Sequence, residues 1–158
     1  MKSNSGVSII TVIITIIVII ILASISISQI GSQEKASYAK FVQEMQEVQK
    51  GVETKRLSNY KYGQEYINDG FCKVIVTGTV PSDFKAENQA GNEIGYLVDL
   101  EYLGYDNLVT GQNYADFISD ETNLKTVTFG QDDVYVYDSE GRVYYARGFL
   151  SEGVMYYK

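Results

Sequence analysis

One stretch constrains this chain more than any other: residues 7–27 contain neither a charge nor a proline. Isoleucine and valine dominate it, and serines and threonines are its only polar residues. As an α-helix it is about 31 Å long at roughly 1.5 Å per residue, which matches a hydrocarbon core of about 30 Å. Because a lone strand in lipid leaves its backbone groups unpaired, the pattern predicts a transmembrane helix.

Three interpretations of this stretch compete. A cleaved signal peptide needs a basic start, an apolar core of about 7–15 residues and small residues before the cut. Lys2 and residues 24–26 meet two of these needs, but the apolar run is longer than a signal peptide requires. A plain signal anchor fits the length, and Lys2 favours a cytoplasmic N-terminus. The third interpretation depends on the residues that precede the run.

The leader MKSNSG ends in Gly6, and the apolar run begins at once with Val7. Together, the leader and the run that follows it resemble the class III signal of type IV pilins and pseudopilins. The pattern GVSIITVIITIIVIIILASI is particularly similar to the pilin-like proteins of clostridial and related Gram-positive bacteria. The resemblance implies that prepilin peptidase cuts between Gly6 and Val7 and N-methylates Val7. Most major pilins have a glutamate as the fifth residue after the cut, where this chain has Thr11. Some minor, tip-located pseudopilins also lack that glutamate, so the resemblance points to a minor subunit.

The resemblance also implies which residues pack into a filament core. They lie on the apolar helix and are Val7, Ile10, Thr11, Ile14, Ile17 and Ile21. Lipid offers no hydrophobic reward for leaving it, so close packing must supply the energy of assembly. The implied partners are copies of this chain, other pilin-like subunits, prepilin peptidase and, before assembly, membrane lipid.

An amphipathic helix is predicted after the apolar run, from residue 33 to residue 57. Apolar residues recur every three or four positions, which gathers them on one stripe. They are Tyr38, Phe41, Val42, Met45, Val48 and Val52. Charges fill the other side, where Lys40 with Glu44, and Glu47 with Lys50, are spaced for weak pairing across a turn. A membrane half followed by an amphipathic half is the shape of the pilin-type first helix.

The pattern of residues 58–158 predicts that the rest of the chain forms a β-rich extracytoplasmic domain. Four runs rich in Val, Thr, Tyr and Phe predict an antiparallel meander: KTVTFG, DDVYVYD, RVYYARG and GVMYYK. The hairpin turn at residues 138–141 is the clearest, because Gly141 supplies the positive φ that a tight turn needs. By resemblance, the layout of a helix followed by a meander is also that of pilins and pseudopilins.

Two earlier segments of this domain also carry structural signals. Residues 71–80, FCKVIVTGTV, predict a strand that stops at Pro81. Residues 94–104 predict a short helix ending at Gly104, with a strand as the alternative.

Charge and residue usage exclude several functions. The formal net charge is −7, and the chain from Leu57 onward contains seven basic and sixteen acidic residues. This excess of negative charge disfavours nucleic-acid binding by the domain surface. The chain contains no histidine, so it has no Ser-His-Asp or Cys-His pair and no His-ligated zinc. We therefore expect neither an enzyme nor a cofactor. Weak calcium candidates surround the predicted hairpin, in a spacing that fits no calcium-loop consensus: Asp132, Asp133, Asp138 and Glu140.

These patterns predict an α+β, pilin-like fold in which a long N-terminal helix packs on a C-terminal antiparallel β-meander. Its parts are a leader (1–6), a transmembrane or filament-core half (7–30), an amphipathic half (31–57) and a globular domain (58–158). The predicted function is a structural subunit, a minor pilin or pseudopilin, of a type IV pilus or type II secretion-like filament. Such a subunit starts in the cytoplasmic membrane and ends in an extracellular filament. The alternative is a single-pass membrane-anchored binding or adhesion domain.

Overall fold

A computed structural model describes the backbone of residues 9–61, 73–105, 107–119 and 123–158. Within the first of these ranges, it describes the side chains of residues 14–19 and 33–58. The chain divides into two compact units, Met1–Ser37 and Tyr38–Lys158.

Helix α1 covers Ile9–Lys61, 53 residues in all. The predicted helix therefore exists, and it continues through Gly31 without a break. A glycine inside a helix costs about 1 kcal/mol relative to alanine, and no proline in this range removes a backbone donor.

The prediction of a membrane-spanning pilin-type helix is wrong. In the portion of the chain that the structure describes, no helix combines the length and the apolar character that crossing a membrane requires. Between residues 33 and 58, charged and polar side chains occupy most positions outside one stripe, so this length of α1 is not apolar. Its composition suits a helix that packs one side on a protein core.

The apolar stripe of α1 is where the sequence predicted it. Phe41, Met45, Val48 and Val52 are all buried. Tyr38 and Val42 pack against the same cluster while remaining partly exposed. Their spacing of three and four residues places them on one side of the helix, and this side faces the sheet.

Eight strands follow the helix among the described residues. They are β1 (Lys73–Gly78), β2 (Glu87–Gln89), β3 (Asn92–Leu97), β4 (Lys125–Phe129), β5 (Tyr135–Tyr137), β6 (Val143–Tyr145), β7 (Phe149–Ser151) and β8 (Val154–Tyr156). The first six form one sheet in the order β4-β1-β3-β5-β6, with β2 paired to β3 beside that path. Strands β7 and β8 pair only with each other. We call this two-stranded hairpin the ribbon.

The sheet is mixed, which corrects the predicted antiparallel meander. Strand β4 pairs in parallel with β1, and β5 lies between β3 and β6. After β4 the chain turns, and β4 and β5 form no hairpin with each other. Asp132 accepts a hydrogen bond from Thr128 N at 2.6 Å, and Gln131 N donates to Thr128 O at 3.1 Å. These bonds close a tight turn at the end of β4.

The sheet curves into half a barrel. Its edge strands, β4 and β6, approach each other at one end, where Gly130 N donates to Ala146 O at 2.8 Å. The hairpin predicted between β5 and β6 is confirmed, since Gly141 has a φ of 84° and its N–H donates to Asp138 O at 2.9 Å.

The sheet separates two apolar clusters. The cluster between α1 and the sheet contains Phe41, Met45, Val48, Val52, Tyr96, Val98, Leu100, Tyr135, Tyr137, Val143 and Tyr145. The cluster on the opposite side contains Val74, Val76, Phe84, Leu97, Val127, Phe129, Val134, Val136, Tyr144 and Ala146. Alternation along the strands sends successive side chains to opposite clusters.

Both alternatives for residues 94–104 are partly right. Strand β3 ends at Leu97, and a one-turn helix, α2 (Leu100–Leu103), follows it. Asp99 caps α2 by accepting a hydrogen bond from Tyr102 N at 3.0 Å. Gly104 ends the helix in the left-handed conformation, as predicted.

Candidate functional site

The predicted processing positions, Gly6 and Val7, lie outside the described residues together with the rest of the leader. Ile10, Thr11 and Ile21, predicted to pack in a filament core, lie in α1, but their side chains are outside the described set. The processing and assembly roles of these five residues remain predictions.

The structure does describe one part of the apolar run, residues 14–19, and every position in it is exposed. Its large apolar side chains are between 47% and 59% exposed: Ile14, Ile16, Ile17, Val18 and Ile19. Successive helical residues are rotated by about 100°, so six of them cover the whole circumference. We call residues 14–19 the apolar segment. It includes the predicted assembly residues Ile14 and Ile17.

Asp138, one of the four calcium candidates, is fully buried in the β5–β6 hairpin. Its carboxylate accepts hydrogen bonds from the backbone N–H groups of Lys85, Glu140 and Arg142, at 2.9 to 3.2 Å. It also accepts from Nε and Nη2 of Arg142, at 2.9 and 2.7 Å. The bond from Arg142 to Asp138 raises the pKa of Arg142, which keeps its guanidinium charged. Asp138 therefore neutralises Arg142 and fixes the hairpin.

Asp133 serves a different part of the fold. It accepts hydrogen bonds from Gly111 N at 2.7 Å and from the Tyr145 hydroxyl at 2.8 Å. Its other oxygen lies 4.0 Å from Nη1 of Arg147. Asp133 thus joins the loop around residue 111 to strand β6.

The last two calcium candidates have separate roles. Asp132 caps the turn after β4, and the exposed Glu140 has Oε2 at 3.3 Å from Nη2 of Arg142. Within the described residues, no three His, Cys, Asp or Glu side chains form a group that could hold a metal ion. The structure therefore does not bring the four predicted ligands together.

Glu44 is a buried carboxylate on α1, only 5% exposed. Its Oε1 accepts from Val109 N at 3.1 Å, and its Oε2 accepts from the Thr110 N–H at 3.3 Å and the Thr110 hydroxyl at 2.7 Å. The same hydroxyl is hydrogen-bonded to the hydroxyl of Tyr135 on β5. Helix, loop and sheet are therefore connected through one threonine side chain.

Two tyrosines of these networks have strongly shifted acidities. Burial raises the pKa of Tyr135, an effect that outweighs the opposing effect of its hydrogen bond with Thr110. Burial is also the main cause that raises the pKa of Tyr145, and the hydrogen bond to Asp133 acts in the same direction. Both hydroxyls therefore remain protonated donors in the folded protein.

A second connection joins α1 to the β5–β6 hairpin. The side-chain amide of Gln49 donates to Gly141 O at 3.0 Å and accepts from Val143 N at 2.8 Å. Nη1 of Arg56 donates to Glu140 O at 2.9 Å. The bond from Val143 N satisfies a backbone group of β6 that faces away from β5, so the start of this sheet edge is covered, and the other two bonds satisfy carbonyls of the hairpin turn.

A groove of about 500 Å³ lies between α1 and β6. Apolar side chains of Tyr38, Val42, Met45 and Val143 line it. Three cations also border the groove: Lys50, Arg142 and Lys158. Two of them have carboxylate partners, since Arg142 binds Asp138 and Lys158 binds Asp83. The groove therefore presents both apolar surface and charged side chains.

Glu44 has a role that was not predicted from the sequence. Its prediction placed it on the charged side of α1, where a weak pair with Lys40 was expected. The signal was nonetheless present, because Glu44 comes three residues after Phe41 and four before Val48, which places it on the buried side. The roles of Thr110 and Gln49 had no such signal, because their partners are distant in sequence.

Comparisons with protein-family models, with curated proteins and with solved structures found no match to this chain.

Proposed function

We propose that this chain is a structural subunit, of the minor pilin or pseudopilin type, in a type IV pilus or type II secretion-like filament. Two observations support the proposal. The first is the resemblance of residues 1–27 to the signal of type IV pilins. The second is the exposure of the apolar segment, which is the observation that carries the argument.

The apolar segment needs other molecules to cover it. Fully burying an isoleucine or valine side chain contributes about 1.5–3 kcal/mol of favourable free energy. While five such side chains remain half exposed to water, several kcal/mol of this burial energy are not gained. Because the exposed surface surrounds the helix, a partner on one side covers only part of it. Neighbours on several sides, as in the centre of a helical filament, cover it completely.

In this role the globular part contributes surface and rigidity, and no catalysis. The networks of Glu44, Asp133 and Asp138 attach loops to a helix and a sheet, which gives the subunit a defined outer shape. The partners are copies of this chain or other pilin-like subunits, and prepilin peptidase acts on the leader.

Mass spectrometry of the N-terminus tests the processing step. We expect the mature chain to begin with N-methylated Val7 in cells that contain a prepilin peptidase. A Gly6→Val variant is expected to retain the leader, because a β-branched side chain replaces the glycine before the cut. An intact Met1 in the native protein contradicts the proposal, and so does a start near Ile27.

Sedimentation of native filaments tests the assembly step. We expect Ile17→Asp in the apolar segment to remove the chain from the sedimenting fraction, because it places a charge in a packed apolar core. The matched control is Leu57→Asp, at a side chain that is 72% exposed on the same helix. Equal sedimentation of the two variants contradicts the proposal.

A further inference from the structure

The groove between α1 and β6 has no part in the proposed filament role. Its volume of about 500 Å³ is within the range of roughly 300–1,000 Å³ that small-molecule sites occupy. Met45 and Val143, which are buried, and Tyr38 and Val42, which are half-buried, give it an apolar surface. Every residue that lines the groove belongs to the unit Tyr38–Lys158. The groove is therefore a feature of the globular unit, separate from the apolar segment.

The α1 wall of the groove changes from apolar to charged along the helix. Tyr38, Val42 and Met45 line its first part, whereas Lys50 and Glu53 line its last part. Because an α-helix rises roughly 1.5 Å per residue, the distance along the helix from Tyr38 to Glu53 is about 22 Å. A ligand that lies along this wall meets apolar side chains at one end and charges at the other.

The β6 wall has the same polarity. Val143 N donates to the Gln49 side chain at 2.8 Å, whereas Tyr145 contacts the ring of Phe41 at a centroid distance of 5.8 Å. Strand β6 therefore runs from the later part of α1 toward the earlier part. Arg142, which precedes Val143, lies at the charged end of the groove.

Lys158 lies at the same end as Arg142, because both bind Asp83. The ammonium of Lys158 binds the Asp83 carboxylate, and Nη2 of Arg142 donates to the backbone O of Asp83 at 2.7 Å. The carboxylates that pair with these two cations are Asp83, Asp138 and Glu140. None of the three carboxylates lines the groove.

Lys50 is the cation with the greatest capacity to bind a ligand. It is exposed, and among the described residues no carboxylate lies within 4.0 Å of its ammonium. Of the described residues that line the groove, Glu53 alone is acidic, and its Oε1 already accepts from Gln49 at 2.8 Å. Three cations and one carboxylate at this end favour an anionic ligand group. Because Glu53 repels negative charge, they favour a monovalent group over a divalent one.

The groove is narrow for its length. Divided by about 22 Å, the volume of about 500 Å³ gives a mean cross-section of about 23 Å². A packed peptide strand occupies about 47 Å², since strands lie roughly 4.7 Å apart within a sheet and roughly 10 Å apart between sheets. The groove therefore fits one unbranched chain, and it is too narrow for a peptide or for a lipid with two chains.

We propose that the groove binds a long unbranched carboxylate, that is, a fatty acid. Its hydrocarbon chain lies against Tyr38, Val42 and Met45, and its carboxylate lies beside Lys50. Met45 suits this contact, because a flexible thioether side chain adapts to an apolar partner. The proposal does not depend on the filament role, since no residue of the groove belongs to the apolar segment.

Photolabelling of the full chain, as isolated from the cells that make it, tests this inference. The label is dodecanoate with a diazirine near its methyl end, used below the concentration at which it forms micelles. We expect peptide mapping to place the label on residues 38–45. Unlabelled dodecanoate should compete, whereas dodecyltrimethylammonium, which has the same chain and the opposite charge, should not. Labelling confined to residues 7–27 overturns the inference, and so does equal competition by the two amphiphiles.

A matched pair of lysine substitutions tests the anionic end. Lys50→Gln is expected to lower the labelling of residues 38–45 several-fold at a subsaturating concentration, because the carboxylate loses its cation. Lys40→Gln, the same change at an exposed lysine of α1 that does not line the groove, is expected to leave the labelling unchanged. Thermal unfolding of both variants monitors folding. Equal labelling of the two variants overturns the assignment of the carboxylate to Lys50.

Chain length tests the apolar end. Octanoate, decanoate and dodecanoate compete with the label at this site, and each methylene that becomes fully buried is expected to improve competition up to about fourfold. If the three carboxylates compete equally, the hydrocarbon chain does not lie in the groove and the inference is overturned.

Discussion

The carboxylate of Glu44 and the hydroxyl of Thr110 lie 2.7 Å apart and connect positions separated by 66 residues. Thr110 in turn contacts the hydroxyl of Tyr135 in the middle of the sheet. This small polar centre lies at the border of an apolar cluster, where an unsatisfied donor or acceptor is costly. It therefore fixes the loop that crosses the end of the helix–sheet interface.

Glu44→Ala is expected to lower the free energy of unfolding by about 3 kcal/mol, because two backbone N–H groups and a buried hydroxyl lose their acceptor. The matched control is Glu47→Ala, one turn further along α1, where the carboxylate is exposed and accepts only from Gln43. We expect that change to cost less than about 0.5 kcal/mol. Urea unfolding of both variants measures the difference, and similar values for the two would refute a structural role for the Glu44 network.

Gly111 is required for two separate reasons. Its φ is +77°, and a Cβ atom at this position would collide with the ring of Tyr135. We expect Gly111→Ala to destabilise the fold by about 3 kcal/mol, the sum of a left-handed backbone penalty and overpacking. Gly104→Ala isolates the first term, since Gly104 has a φ of +78° and its Cβ would meet nothing within 4 Å.

The control variant, Gly104→Ala, is expected to lower the free energy of unfolding by only about 1 kcal/mol. Thermal or urea unfolding measures both glycine variants. Equal losses would show that the ring of Tyr135 moves aside easily, contrary to a tightly packed site.

Local patterns in the sequence predicted local structure well. The spacing of Phe41, Met45, Val48 and Val52 located the buried side of α1. Gly141 located the β5–β6 turn. Both depend on residues within a few positions of each other, where backbone geometry alone decides which side chains share a surface.

The order of the sheet could not be predicted in the same way. Strand β4 pairs with β1 about fifty residues earlier, at Val76 opposite Val127, although β5 is its neighbour in sequence. Short strands rich in valine and threonine are compatible with several partners, and the choice is made by the whole core. The predicted membrane span was also wrong, because no described helix is long and apolar enough to cross a membrane, and residues 33–58 of α1 are amphipathic.

The turn between β2 and β3 offers a stabilising substitution. Ala90 has a φ of +51° and is followed by Gly91 at +84°, a pair of values typical of a tight hairpin turn that prefers Asn or Gly in the first position. We expect Ala90→Gly to raise the free energy of unfolding by about 0.5–1 kcal/mol, because glycine adopts this conformation without a Cβ clash. Ala115→Gly, at an exposed position in the 3₁₀ helix Tyr114–Phe117, is expected to lower it. If both changes destabilise, the strain assigned to Ala90 is absent.

The buried tyrosines predict how stability depends on pH. The folded chain raises the pKa of Tyr135 and Tyr145, whereas an unfolded tyrosine loses its proton near pH 10. Above about pH 10, the unfolded state therefore binds fewer protons than the folded state, and the free energy of unfolding falls as pH rises. Below that pH both states keep these protons, so this contribution is fully present at neutral pH.

Tyr145→Phe tests this dependence, because it removes one of the two ionisable groups. We expect the variant to lose about 1 kcal/mol at pH 7, since the hydrogen bond to Asp133 is gone. Between about pH 10 and pH 11 it should lose less further stability than the parent, with a slope reduced by up to about 1.4 kcal/mol per pH unit. Tyr102→Phe, at a ring that is 46% exposed, is the control and should follow the parent profile. Urea unfolding at fixed ionic strength from pH 7 to pH 11 provides the comparison, and parallel curves for parent and Tyr145→Phe would contradict the assignment of the alkaline loss to Tyr145.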